Sequence, residues 1–281
     1  GRLDDMSIGI ECLLAESSAS ARGFAEKLHQ LNRERRDIEQ SMQQDALAQL
    51  ESIDLEGDAS LFAMTLYDPA WHQGVIGILA SRIRERVHRP TLVFADAEEG
   101  MLKGSGRSIP GLHLRDVLDQ VATRHPGLLT KFGGHAMAAG LSLARDDLNR
   151  FKQALNDAVA EALGYTPPER TEESDGALAR SDFGLPLAEQ LASGGPWGQH
   201  FPEPLFDGQF FVRSHRIVGE KHLKLTLDAD GTEIEGIAFN IDVPKWLAAP
   251  LDAFHALYRL DVNEYRGERR AQLVIQSFWP C

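Results

Sequence analysis

Two glycine-containing segments carry the residue types best suited to holding an anion. The first is Gly104-Ser105-Gly106-Arg107-Ser108, in which small residues let backbone N–H groups approach a ligand alongside two hydroxyls and a guanidinium. The second is Gly133-Gly134-His135-Ala136-Met137-Ala138-Ala139-Gly140, where an imidazole that can donate to phosphate is surrounded by residues with little side chain. Each segment by itself also fits a tight turn beside a buried strand. Because both fall within residues 104–140, the sequence favours a phosphate site formed by Ser105, Arg107, Ser108, Gly133, Gly134 and His135.

The spacing in these segments argues against other kinds of site. Neither segment matches the glycine spacing of a dinucleotide-binding loop or of a P-loop. Asp228-Ala229-Asp230-Gly231 is acidic enough to suggest a metal site, but it stands between two alternating stretches, where Asp and Gly are ordinary hairpin residues. The sequence therefore predicts a turn at Asp228–Gly231 and not a metal site.

Residues 56–165 alternate short apolar runs with helical patterns, which is typical of an α/β domain. The predicted strands are Leu61–Tyr67, Pro90–Phe94, Leu102–Ser108 and Met137–Leu143, and the predicted helices are Gly74–Val87, Leu114–Arg124 and Asp147–Leu163. The first glycine segment falls within the third predicted strand, and the second runs into the fourth.

A long helix is predicted ahead of this domain, within residues 19–55. Apolar residues recur at three- and four-residue steps from about Ala19 to Leu50 without a proline. The apolar seam is narrow, which favours a connector between domains; a coiled coil is the alternative.

Residues 166–204 are predicted to be a linker with a short helix near Leu185–Ala192, and eight acidic side chains fall between residues 161 and 204. After this linker the pattern becomes all-β. Residues 205–281 contain five strand-like stretches with a short helical piece, Pro244–Leu247, between the third and fourth. This is the order of an OB-fold barrel. Its candidate cations for single-stranded DNA are Arg213, Arg216, Lys221, Lys224, Arg266, Arg269 and Arg270, together with His215 and His222. Its candidate stacking aromatics are Phe211, Tyr258, Tyr265 and Trp279, for which the barrel core is the alternative.

Composition bounds the class of protein. The net charge of −13 argues against a histone-like mode of binding nucleic acid and leaves a local basic groove open. Cys12 and Cys281 make neither a disulfide framework nor a thiolate site, and no signal peptide or membrane span is evident, which favours a cytoplasmic protein. The chain opens Gly1-Arg2 without Met, which favours a fragment of a longer protein; N-terminal trimming of a complete protein is the alternative.

The segment GGHAMAAG resembles the GGHxxAAG signature of the DHHA1 domain, which accompanies DHH-family phosphoesterases. The SGRS segment and Trp71-His72-Gln73-Gly74-Val75-Ile76-Gly77 resemble other recurrent stretches of that domain. Gly1-Arg2-Leu3-Asp4-Asp5-Met6 resembles the segment where the catalytic domain of RecJ-type exonucleases ends, which implies that residues 1–18 are the tail of that domain. Residues 196–204, PWGQHFPEP, resemble the start of their OB domain. The resemblance covers essentially the whole chain and is to the RecJ-type single-stranded-DNA exonucleases.

That resemblance implies the substrate-gripping part of a 5′-to-3′ exonuclease of DNA recombination and repair. It implies that Arg107, Ser105, Ser108, His135 and the amides of the glycine pair hold the DNA backbone, with Arg2 as a further contact. It also implies that the divalent metal, manganese or magnesium, belongs to a catalytic domain with a DHH triplet, which this sequence lacks, so the isolated chain is expected to be inactive. The alternatives are a stand-alone module that binds single-stranded nucleic acid or a protein such as the single-strand-binding protein, and a relative that degrades short oligonucleotides.

Overall fold

The computed structural model describes residues 2–51, 53, 60–169, 171–198, 200–241 and 243–281. The chain divides into two compact units, Gly1–Arg170 and Thr171–Cys281. None of the helices within the described segments combines the length and the apolar composition that a membrane crossing requires.

The first unit begins with two helices, α1 (Ser7–Leu14) and α2 (Ser18–Glu51). At about 1.5 Å per residue, the 34 residues of α2 extend over roughly 50 Å. Its buried residues, Met42, Ala46 and Leu50, all lie in its last turns, where they pack in one cluster with residues of the following domain. The predicted long helix is therefore confirmed, although α1 was not predicted, and residues 52 and 54–55 of the predicted range lie outside the described residues.

A five-stranded sheet forms the centre of the first unit. Its elements in chain order are β1 (Met64–Tyr67), α3 (Ile76–Val87), β2 (Thr91–Asp96), β3 (Met101–Arg107), α4 (Leu114–Arg124), β4 (Lys131–Gly134), β5 (Ala138–Ala144) and α5 (Leu148–Ala162). The strand order is β1-β2-β3-β5-β4, with β1 and β2 parallel and the other pairs antiparallel. The α/β prediction is confirmed. The edge strand β4 was not predicted, because its Lys-Phe-Gly-Gly sequence is too short and too rich in glycine to show alternation.

Helices cover the two faces of this sheet unequally. On one face, Leu102, Leu141 and Leu143 belong to the apolar cluster that also contains buried residues of α4 and α5. On the other face, Val93 and Ala95 of β2 are buried among residues of α2 and α3. Beyond β2 on this second face, the outward positions of β3, β5 and β4 are half-buried or exposed. The sheet therefore presents a partly uncovered face.

The second unit is a closed barrel of five strands. Its elements are α6 (Leu185–Gly194), β6 (Phe206–Val218), β7 (His222–Ala229), β8 (Thr232–Ala238), α7 (Val243–Ala248), β9 (Ala253–Tyr265) and β10 (Glu268–Pro280). The strand order β10-β8-β7-β6-β9, with β9 also pairing β10 and the helix between the third and fourth strands, confirms the OB-fold prediction. Alternate residues Leu223, Leu225 and Leu227 point into the core.

The acidic hairpin between β7 and β8 is a tight turn, as predicted. Asp230 and Gly231 both have positive φ, 49° and 83°, which a two-residue type I′ turn requires. Asp228 Oδ1 accepts a 2.6 Å hydrogen bond from the Gly231 N–H. The Asp228 carboxylate also pairs with Arg213, so its charge is already neutralised within the fold.

Candidate nucleic-acid interface

The partly uncovered sheet face brings the two glycine segments together. Alternation along β3 places Lys103, Ser105 and Arg107 on this face, since their neighbours Leu102, Gly104 and Gly106 are buried on the other. Strand pairing puts further residues on the same face, namely Ala138, Gly140 and Ser142 of β5 and Lys131 and Gly133 of β4. We call these eight residues the shelf. Its floor consists mostly of small residues, so a ligand can approach the backbone closely.

Arg107 and Ser105 form the polar group at one end of the shelf. Arg107 Nη1 donates to Ser105 Oγ at 3.2 Å and to the Gly106 carbonyl at 2.8 Å. Gly77, in the first turn of α3, makes room for both side chains. A Cβ atom at Gly77 would lie 3.0 Å from Arg107 Nη2 and 3.0 Å from Ser105 Oγ.

The electrostatic surroundings of Arg107 favour an anion. Burial lowers the pKa of the guanidinium, and the positive charges of Arg2 and Arg84 lower it further. Its hydrogen bonds within the described part of the chain go to a hydroxyl and a carbonyl, not to a carboxylate. A half-buried cation without a carboxylate partner is stabilised when a phosphate supplies the missing charge.

His135 lies at the same end of the sheet as Arg107. Arg107 pairs with Ala138 across β3 and β5, and the His135 N–H donates to the Ala138 carbonyl at 2.8 Å. The Ser108 N–H, in turn, donates to the Met137 carbonyl at 3.0 Å, which fixes the turn against the end of β3. The His135 side chain is exposed. The fold thus brings the turn that carries His135 next to Arg107, as the phosphate-site prediction requires.

The two glycines before His135 differ in whether the local structure requires glycine. Gly134 has φ of 143°, and a Cβ atom there would lie 2.4 Å from the Ala138 carbonyl oxygen, so the turn itself requires glycine. A Cβ atom at Gly133 would meet no atom within 4 Å, so packing does not require glycine there. Both belong to the edge strand β4, and their role as amide donors to phosphate stays a prediction.

The prediction for Ser108 is wrong. Its side chain is fully buried, and its hydroxyl donates to the Leu112 carbonyl at 2.7 Å. Ser108 follows the last residue of β3, so its side chain turns away from the shelf and ties down the loop that leads to α4. It does not reach a ligand on the shelf.

Arg2 and His72 lie near the start of α3. The Arg2 carbonyl packs so closely on Gly74 that a Cβ atom there would lie 2.0 Å from the carbonyl oxygen. The Arg2 side chain is exposed, and its charge acts on Arg107; its contact with phosphate stays a prediction. His72 accepts a hydrogen bond from the Gly74 N–H at its Nδ1, 3.0 Å away, and so supports the turn before α3.

The barrel carries a groove of about 520 Å³ that collects three of its predicted cations. Arg216, Lys224 and Arg270 line it together with Tyr265, whose ring is exposed. Two of these cations already have partners, because Lys224 lies 2.9 Å from Glu235 and Arg270 lies 2.6 Å from Glu268. Arg216 therefore supplies the charge of the groove that no described carboxylate neutralises.

The other predicted barrel residues do not line this groove. Arg213 pairs with Asp228, and Arg269 pairs with Glu189 at 2.6 Å. Lys221 is exposed in the β6–β7 turn, and the Arg266 guanidinium lies 5.2 Å from the centre of the adjacent Tyr265 ring.

The predicted aromatics separate into core and surface. Tyr258 is fully buried in the barrel, so the stacking prediction is wrong for this residue and the core alternative is right. Burial raises its pKa well above the ordinary value for tyrosine. Phe211 on β6 and Trp279 on β10 are exposed but do not line the groove, and the Trp279 ring stacks on His255 with 4.9 Å between the ring centres. Of the four candidates, Tyr265 lies at the groove.

Among the described residues, no three His, Cys, Asp or Glu side chains lie close enough to hold a metal ion.

Three residues of the interface were missed in the sequence. Gly77 was part of a quoted motif, but only the packing of α3 on β3 shows that it faces Arg107. Lys103 and Lys131 each stand two residues before a motif residue, Ser105 and Gly133. The two-residue period of a strand could have placed Lys103 on the Arg107 face, whereas Lys131 required the unpredicted strand β4.

Comparison with known proteins agrees with both domains. A model of the DHHA1 domain matches residues 58–161, and a model of the RecJ OB domain matches residues 174–277. The single-stranded-DNA-specific exonuclease RecJ of Dickeya dadantii is 50% identical over 282 residues, and that of Escherichia coli is 47% identical. Both alignments cover 100% of this chain and 49% of the relative, so the chain spans about half the length of these relatives.

A solved structure supports the same assignment. The crystal structure of RecJ in complex with Mn²⁺ from Thermus thermophilus superposes with a TM-score of 0.74 at 25% identity, covering 100% of this chain and 39% of that one. Both domain matches, the relatives and this structure agree along the chain. The chain therefore belongs to the RecJ family, of which it contains the DHHA1 domain and the RecJ OB domain.

Proposed function

We propose that this chain is the substrate-binding part of a 5′-to-3′ single-stranded-DNA exonuclease, and that the residues which hydrolyse the phosphodiester lie in a part of the protein outside it. The observation that carries the proposal is the Arg107–Ser105 pair at the end of the shelf. This half-buried guanidinium has two local hydrogen bonds and no described carboxylate partner, next to the turn that presents His135.

The contacts available at this site suit a substrate that is not read by sequence. Guanidinium, hydroxyl and imidazole groups bind phosphate oxygens, which every nucleotide carries. The shelf offers no described set of side chains that would read base edges. The groove of the barrel, with Arg216 and the exposed Tyr265 ring, would hold a further part of the strand by charge and stacking.

Residues 1–18 are proposed to pack against the missing catalytic part. Met6, Ile10, Leu13 and Leu14 are all exposed, and their spacing places them along one side of α1. The opposite residue Ile8 is buried in this chain. An apolar strip of this kind is stabilised when another surface covers it. The cytoplasmic location and the binding of single-strand-binding protein stay predictions.

The proposal is tested by fluorescence anisotropy with a 5′-phosphorylated, 3′-labelled (dT)₂₀ strand across a salt series. The wild-type chain is expected to bind, and Arg107→Gln is expected to weaken binding about equally for mixed sequences and to lower the salt slope by about 0.7, the value for one single-strand phosphate. Arg115→Gln, an exposed position on α4 at the opposite face of the sheet, is the matched control. An unchanged slope for Arg107→Gln would remove it from the contacts.

A nuclease assay tests the division of roles. The isolated chain, supplied with Mn²⁺ and a single-stranded substrate, is expected to release no nucleotides. Release of nucleotides that survives repurification and is lost in Arg107→Gln would show that the chain carries its own catalytic residues, and the proposed division would be wrong.

A further inference from the structure

We infer that Lys103 and Lys131 form a second phosphate position on the shelf, and that one DNA strand lies along β3 and β5 between this position and Arg107. The inference rests on the proposed function and extends it, because neither lysine belongs to the glycine segments. It states how long a stretch of DNA the shelf holds and that this stretch runs along β3 and β5.

Strand pairing places the two lysines on either side of one serine. Lys103 of β3 and Lys131 of β4 both pair with Ser142 of β5, the strand that lies between β3 and β4. Directly paired residues point to the same face of a sheet, so both side chains rise from the shelf. With neighbouring strands about 4.8 Å apart, the two Cα atoms lie about 10 Å from each other, a span that two flexible lysines can close around one phosphate.

The same pairing gives the distance to the first position. Lys103 and Arg107 are four residues apart on β3, which corresponds to about 13 Å at about 3.3 Å per residue. A stacked strand rises by about 3.4 Å per nucleotide, so this distance spans up to about four nucleotides. Between the two positions the shelf consists of Ser105, Gly140 and Gly133. These small residues leave the backbone of the sheet open to a strand lying across it.

The charges around this end of the sheet single out the lysine pair. Lys103 and Lys131 are exposed, and neither has an ion-pair partner within the described part of the chain. Arg145, which follows β5 at the same end of the sheet, lies 2.5 Å from Asp96 and is neutralised by it. Two such cations in line with Arg107 give the shelf a local positive field, although the whole chain has a net charge of −13.

The experiment compares the full 281-residue chain with Lys103→Gln/Lys131→Gln and with Arg115→Gln/Arg150→Gln. The control removes the same two charges from exposed positions on α4 and α5, which cover the other face of the sheet. The ligands are 5′-phosphorylated oligothymidylates of one to eight nucleotides, measured by competition against labelled (dT)₂₀. Circular dichroism confirms that each variant is folded, as expected for exposed side chains.

If the inference is right, wild-type affinity rises with length until about four nucleotides reach the lysine pair. The lysine variant then loses about tenfold in affinity for the eight-nucleotide strand, and its salt slope falls by about 0.7, the value for one single-strand phosphate. It keeps wild-type affinity for one and two nucleotides, and the control keeps wild-type affinity throughout.

The contrary outcomes separate the two proposals. If the lysine variant matches the wild type or the control while Arg107→Gln weakens binding, the second position is wrong and the proposed function stands. If the wild-type chain binds none of the strands, both are wrong.

Discussion

Arg107 and Ser105 lie side by side on β3, with Arg107 Nη1 donating to Ser105 Oγ at 3.2 Å, and Gly77 of α3 is the reason both fit. The hydrogen bond orients the guanidinium without neutralising it. A carboxylate in place of the serine would satisfy Arg107 internally and remove its affinity for phosphate. The charge of Arg107 therefore stays available to an anion, and its surroundings can be tested position by position.

Gly77→Ala is expected to weaken binding of single-stranded DNA by about tenfold, or about 1.4 kcal/mol. The new methyl group would lie 3.0 Å from both Arg107 Nη2 and Ser105 Oγ and would displace the guanidinium. Helix propensity favours alanine by about 1 kcal/mol, so the unfolding midpoint should not fall. Anisotropy and thermal unfolding check both expectations. Gly23→Ala on α2, where a Cβ atom meets nothing within 4 Å, is the control.

Ser105→Ala and Ser108→Ala should have opposite effects. Loss of the Ser108 hydroxyl leaves the Leu112 carbonyl without its 2.7 Å donor in a buried place, which should cost about 1–3 kcal/mol of unfolding free energy and leave DNA affinity unchanged. Ser105→Ala should weaken binding and leave stability near the wild-type value. Urea unfolding and anisotropy on both variants check the pair. A binding defect in Ser108→Ala without loss of stability would contradict the assignment.

Alanine substitutions at the two adjacent glycines before His135 should also have different effects on stability. Gly134→Ala places a Cβ atom 2.4 Å from the Ala138 carbonyl oxygen, on a residue whose φ is 143°. This substitution should lower the unfolding free energy of the first unit by about 1–3 kcal/mol or more. Gly133→Ala has open space and should fold normally, but it should weaken binding if phosphate approaches the β4 backbone. Chemical denaturation followed by anisotropy distinguishes them. Equal stability of the two variants would show that the turn does not depend on Gly134.

The barrel should lose stability in acid partly through Asp207. Hydrogen bonds from the Ser174 hydroxyl and then from His255 hold the pKa of this carboxyl below its ordinary value. A carboxyl with a depressed folded-state pKa contributes stability above its unfolded-state pKa of about 4, and loses it as the pH falls through the folded-state value. Asp207→Asn should therefore flatten the fall in urea midpoint below about pH 4, and Ser174→Ala should flatten it in part. Trp246 and Trp279 provide the fluorescence signal for the barrel. A slope identical to the wild type in Asp207→Asn would contradict this account.

Tyr265→Ala should weaken binding of long single strands, whereas Trp279→Ala should not. Tyr265 lines the groove of the barrel, and loss of a stacked base costs about 1–3 kcal/mol. Trp279 is also exposed but stacks on His255 and does not line the groove. Anisotropy with (dT)₂₀ checks both variants. A larger defect in Trp279→Ala would place the strand on the other side of the barrel.

Local sequence patterns were sufficient to predict many of the secondary-structure elements of this protein. The alternation of Leu223, Leu225 and Leu227, the uninterrupted seam of α2 and the turn residues Asp230-Gly231 each follow from the period or backbone preference of a single element. The residue types of the SGRS and GGHAMAAG segments also indicated phosphate chemistry near His135 and Arg107 before any distance was known.

Tertiary structure decided which of these side chains face a ligand. Ser108 and Tyr258 have the right chemistry, but packing directs both inward, because the end of a strand and the inside of a barrel are defined by neighbours distant in the sequence. Gly77 and Lys131 join the candidate interface only because α3 packs on β3 and because β4 pairs with β5, whereas the two-residue period of β3 already places Lys103 on the Arg107 face. Residue types and local periods follow directly from the sequence. The pairing of strands and the coverage of a sheet depend instead on contacts between residues distant in the sequence, which no local pattern encodes.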